Sequence, residues 1–115
     1  MYRHSYEDVM DDSGARAREN ETLAFERAIE LLQQAEREGR GSRAWIDAFY
    51  FSSQLWSILL EDLIHPENSL PEALRAQLIS IGFWVFKESD ALREGRSDNI
   101  AGLIEIFEII KQGLK

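Results

Sequence analysis

The chain has 115 residues and no cysteine. That absence removes disulfides, thiolate metal sites and thiol nucleophiles, and it argues against a small disulfide-stapled secreted scaffold. Histidine is nearly as scarce. His4 and His65 are the only two, and neither has a second histidine or a carboxylate in a recognised ligand spacing. There is no Gly-rich phosphate loop and no serine in a nucleophile-elbow context. The expectation is a protein that is not an enzyme, with no catalytic residue, no metal and no cofactor.

A surplus of basic charge is also missing. The formal net charge is −8. Residues 1–40 contribute −4, residues 41–70 contribute −3, and residues 71–115 contribute −1. The main concentration of arginine, Arg16, Arg18, Arg27, Arg37, Arg40 and Arg43, is offset by acidic neighbours. Phosphate backbones are bound largely through Lys and Arg, so direct nucleic-acid binding is not expected, and neither is an anionic membrane surface. No apolar run approaches the roughly 18 residues of a spanning helix. The opening MYRHSYEDVMDDS has neither the basic nor the apolar region of a signal peptide. These readings predict a cytoplasmic protein with no membrane partner.

What the chain does have is one long uncharged stretch. Ala48–Leu60, AFYFSSQLWSILL, runs for 13 residues in a protein that is 30% charged. Placed on a helix, Phe49, Phe51, Leu55, Trp56, Ile58, Leu59 and Leu60 cover well over half the circumference. Such a helix must be covered on more than one side, by its own bundle or by a partner.

Glycine and proline divide the rest. EGRGS, HPENSLP and REGRSDN carry the stop and start signals. They predict helices from about Arg16 to Glu38, Ser42 to Ile64, Pro71 to Glu94 and Asp98 to Gln112. Ser42 is the expected N-cap of the second, Pro71 the first-turn residue of the third, and Ser97 or Asp98 the cap of the fourth. Apolar spacing places Phe25, Ala28, Ile29, Leu32 and Ala35 on one face of the first helix. Leu74, Leu78, Ile81, Val85 and Leu92 share a face of the third. Ile100, Leu103, Ile104, Phe107, Ile110 and Leu114 share one of the fourth. LIEIFEII alternates locally, but its flanking signals favour helix. Short connections make neighbouring helices antiparallel. The predicted fold is all-α: a small antiparallel bundle of four main helices, with residues 1–12 as an N-terminal arm or short helix and residues 13–115 as a single domain. Asp11, Asp12 and Gly14 are the expected break between the two, and Phe49, Leu59, Leu78, Ile81 and Val85 the expected core.

Apolar residues remain beyond what this core needs. Ile79, Phe83 and Phe86 form a second stripe on the third helix, and Trp84 projects elsewhere. Trp56 lies on the wide face of the second helix. Tyr2 and Tyr6 are aromatic anchors in the arm. Exposed apolar stripes at helical spacing suit a partner helix laid in a groove, and aromatics are favoured at interface hot spots. Tyr2, Tyr6, Trp56, Ile79, Phe83, Trp84 and Phe86 are therefore the candidate partner-binding residues.

In order, MYRHSYEDVM, LAFERAIELLQQA, LWSILLEDL, PENSLPEALRAQLISIGFWV and GLIEIFEIIKQGLK resemble the flagellar biosynthesis regulator FlaF family of alphaproteobacteria. The most specific part is LPEALRAQLISIG followed by Trp84. The chain departs from that pattern at FSSQ before Leu55, where relatives are more basic and polar, and at Phe107, where they tend to carry Asn. The resemblance implies a non-enzymatic, cytoplasmic protein that binds flagellin as a chaperone or regulator and promotes its synthesis and export, with FlbT as a possible further partner. Flagellin's amphipathic terminal helices are the expected ligand. The alternative is a purely regulatory protein that controls flagellin mRNA translation together with FlbT. Oligomeric state is not implied.

Overall fold

The structure is a computed structural model that describes residues 12–113, with side chains from Glu19 onward. Four helices account for most of it: α1 Asp12–Glu38, α2 Arg43–Leu63, α3 Glu72–Arg93 and α4 Ile100–Gly113. Among the described residues there is no strand, so LIEIFEII is helical and the all-α expectation holds. The longest dimension, 43 Å against 25 and 24 Å across, is close to the roughly 40 Å expected for a helix of α1's length.

Local chemistry explains the helix ends. The Ser42 hydroxyl accepts from the Trp45 backbone N–H at 3.2 Å, which caps α2 as expected. Gly39, at φ 91°, closes α1, and its N–H reaches the Ala35 carbonyl at 2.8 Å. Three details differ from expectation. Helix α1 begins at Asp12 and runs through Gly14. One glycine costs only about 1 kcal/mol relative to alanine, and the Ala and Arg residues that follow are strong helix formers. Pro71 stands at the N-cap of α3, with ψ 143°, not in its first turn. Asn99 supplies the side-chain cap of α4, its Oδ1 accepting from the Gly102 N–H at 3.2 Å. Ser97 is two residues too early and accepts from the Asn99 N–H, while Asp98 is held by Arg40.

Arg40 marks the topology. It sits between α1 and α2, yet its Nη1 donates to the Leu92 carbonyl at 2.7 Å and its Nη2 to the Ser97 carbonyl at 3.1 Å. The α1–α2 and α3–α4 connections therefore share one end of the bundle, and successive helices run antiparallel. The same guanidinium lies over the Trp45 ring, 5.3 Å from its centroid.

Helix α1 packs against α2 and α4, and α3 packs against α2, while α3 and α4 meet only slightly. The core centres on Phe25, Trp56 and Phe107 from α1, α2 and α4. Their ring centroids lie 5.6 to 6.4 Å apart in edge-on geometry, an arrangement worth about 0.5–1.5 kcal/mol per pair beyond burial. Phe25, Ala28, Ile29, Leu32 and Ala35 are all buried, as are Ile100 and Leu103. Of the expected core residues, Phe49 and Val85 are buried, whereas Leu59, Leu78 and Ile81 are half-buried. Leu74 is exposed. Of the positions where the chain departs from the family pattern, Phe107 and Ser52 are fully enclosed, whereas Ser53 is half-buried and Gln54 exposed.

Candidate partner-binding surface

Helix α3 is where the bundle is least complete. Its buried residues are Gly82, Val85, Ser89, Ala91 and Leu92. None lies before Gly82, so the first ten residues rest on the bundle without being enclosed by it. Gly82 lies tight against α2. A β-carbon there would stand 3.1 Å from Trp56 Cε3, so the absence of a side chain is what lets the two helices meet. With Gly82, Val85 and Ser89 turned toward α2, the 100° step per residue carries Phe83 outward and Trp84 to the far side.

The expected stripe is thereby split. Phe83 is 59% exposed and Trp84 36% exposed. Ile79 and Phe86 flank the buried face and are half-buried, with Phe86 packed against the core. These four residues are brought onto one helix as expected. Trp56 is not part of this surface. It is 1% exposed and held edge-on between Phe25 and Phe107, which corrects its assignment as a contact residue. Its place on the wide face of α2 points it into the core, where three helices converge. Tyr2 and Tyr6 lie outside the described residues.

Periodicity did not reveal a second group. Ile58 on α2, Ile64 just after it, Leu70 in the connection and Leu74 on α3 are all exposed. All four lie within or near the α2–α3 connection, toward the end of the bundle opposite Arg40. The available signal was HPENSLP itself, which brackets apolar residues from both helices at one tip. Among the described residues, no group of three or more His, Cys, Asp or Glu side chains is placed to hold a metal ion. No helix among them is long and apolar enough to cross a membrane.

The apolar pattern of α3 sits inside a match to a known family. The profile of the flagellar protein FlaF family covers residues 2–114, nearly the whole chain. The chain belongs to that family. The FlaF match takes in all four helices, including the exposed Phe83 and Trp84 and the uncovered start of α3. Comparison with curated proteins and with solved structures gave no match.

Proposed function

We propose that this member of the FlaF family is a cytoplasmic, non-enzymatic protein that binds flagellin, acting as a chaperone that promotes flagellin synthesis and export. The reading rests on one observation: a flagellar protein carries exposed Phe83 beside half-buried Ile79 and Phe86, on a helix whose first half is uncovered. Before it assembles, flagellin has amphipathic terminal helices with no partner for their apolar faces. A helix laid along α3 buries that face against these side chains, the helix-in-groove mode. The drive is removal of apolar surface from water.

The competing reading is control of flagellin mRNA, alone or together with FlbT. RNA phosphates are bound largely through Lys and Arg, and the chain carries a net charge of −8. Here Arg27 pairs with Glu30, Arg40 with Asp98 and Arg43 with Asp47, which favours the flagellin reading. The test is calorimetric titration of the full chain with purified flagellin and, separately, with the flagellin 5′ leader RNA. Saturable binding to flagellin and none to RNA is expected. Binding to RNA alone overturns the proposal.

A further inference from the structure

Residues 1–11 lie outside the described part of the chain, but the fold fixes where they begin. Helix α1 runs antiparallel to α2 and has 27 residues against 21. Residues 39–42 join the two at the Arg40 end, so Asp12 comes out at the opposite tip, roughly 9 Å beyond the end of α2. That tip carries exposed Ile64, Leu70 and Leu74. The connection presenting them is held in place. The Asn68 side chain donates to the Asp62 carbonyl at 3.0 Å and accepts from the Leu70 N–H at 3.0 Å. The Asn68 N–H reaches the His65 carbonyl at 3.0 Å. Pro66 and Pro71 narrow the backbone further. These apolar side chains stand on a fixed platform, the kind of exposed group that marks a contact surface.

Reach and pattern decide what occupies it. Tyr2, Tyr6, Val9 and Met10 recur at i, i+4, i+7 and i+8, the spacing that lines one face of a helix. An extended chain spans at most about 3.6 Å per residue, so Tyr6 stays within about 22 Å of Asp12. The end of α2, roughly 9 Å away, lies inside that radius. The exposed Ile46 stands 17 residues back along α2 from Leu63, about 26 Å further off, and lies outside it. A segment tethered this closely meets the tip at an effective concentration of roughly millimolar, ahead of any dilute free partner.

We propose that the chain's own N-terminal segment, residues 2–10, docks on this tip, packing Tyr2, Tyr6, Val9 and Met10 against Ile64, Leu70 and Leu74 over the start of α3. Residues 1–12 carry one arginine and four carboxylates, and so do residues 61–75. Like charges oppose the contact, so apolar burial alone holds it. The segment is therefore a cover that a longer apolar helix displaces. That last step rests on the flagellin reading: a flagellin helix laid along α3 takes the place of the segment. The docking itself does not depend on it.

The lack of cysteine makes the test direct. In the full chain, Ser5→Cys is combined with Ser69→Cys at the tip or with Ile46→Cys at the far end, both exposed positions. The rate of intramolecular disulfide closure is followed under mild oxidation. The tip pair is expected to close and the far pair to stay open. Adding Tyr2→Ser and Tyr6→Ser should slow the tip pair at least about tenfold, the size of effect that losing anchors produces. Raising salt should speed it, because screening relieves the like charges. A tip pair that closes equally fast without the tyrosines overturns the proposal, and so does closure of the far pair. Flagellin is then titrated onto the tip pair, reduced and oxidised. Binding at least about tenfold weaker to the oxidised form is expected, since the open state is no longer populated. Equal binding overturns the displacement. Binding to neither form counts against the flagellin reading alone, because the disulfide rates decide the docking without it.

Discussion

Gly82 stands so close to Leu60 that a β-carbon on it would lie 3.0 Å from Leu60 Cδ2. The α2–α3 seam is therefore set by the lack of a side chain. Gly82→Ala gains about 1 kcal/mol of helix propensity but meets overpacking that typically costs about 1–3 kcal/mol. Trp56 is enclosed and cannot yield, so a net loss of about 1 kcal/mol is expected by chemical denaturation. Leu60 is only half-buried. Trimming it in the double variant Gly82→Ala, Leu60→Ala should recover at least about 0.5 kcal/mol relative to the sum of the single changes. Simple additivity would show that the two residues do not press on each other.

Trp56 and Phe83 should separate folding from binding. Trp56→Ala empties the junction of α1, α2 and α4 and should cost about 3–5 kcal/mol of stability. Phe83→Ala removes an exposed ring and should leave stability within about 0.5 kcal/mol. If the α3 surface is the flagellin contact, Phe83→Ala should also weaken flagellin binding by 2 kcal/mol or more, roughly thirtyfold. That binding should change little with salt, since burial drives it. Denaturation curves and calorimetry at low and high salt check both statements.

Arg40 offers a contrast between two kinds of contact. Its partner Asp98 has a side chain 97% exposed, and exposed ion pairs contribute about 0–1 kcal/mol. Asp98→Ala should therefore be nearly neutral. Arg40→Ala also removes the bonds to the Leu92 and Ser97 carbonyls and the stack on Trp45, and should cost about 1–3 kcal/mol. Arg40→Lys should recover little, because an ammonium lacks the planar fork that reaches two carbonyls while lying on a ring. Equal losses for Asp98→Ala and Arg40→Ala would overturn this ranking.

Hydrogen exchange should divide α3 at Gly82. Amides within residues 76–81 are expected to exchange faster than those within residues 83–92, since local opening is easiest where few side chains are enclosed. Saturation with flagellin should slow the earlier segment if the partner helix lies there. Uniform protection along α3 would show that its first half is held as firmly as its second.

Much of this architecture was legible in the sequence because it depends on local pattern. The apolar spacing of Phe25 to Ala35, the hydroxyl of Ser42 and the uncharged run through α2 each act within a few turns of their own helix. What was not legible depends on which faces meet. Seven apolar residues encircle much of α2, and nothing in their spacing tells that Trp56 points inward while Ile58 points out. Leu74 shares a face with Val85, but that face passes beyond its cover before reaching Leu74. Phe83 was identifiable as surplus because it lies off the main stripe. The Arg40 junction was not, since it joins Arg40 to Leu92 and Ser97, which are far apart in sequence and brought together only by the antiparallel return of the chain.

The Arg40 junction also makes the bundle mechanically lopsided. Guanidinium bonds tie the α1–α2 and α3–α4 connections together at one tip, whereas at the other tip α3 rests on α2 through half-buried leucine and isoleucine. Helix α3 is thus a lever with its fulcrum near Leu92. Leu74 lies 18 residues from that fulcrum, about 27 Å along the axis, so a tilt of only about 10° carries it about 5 Å, roughly half the spacing of packed helices. Under the flagellin proposal, a guest helix enters beside this end of α3, which the short connection after Leu63 still tethers to α2, while the Arg40 tip keeps its register.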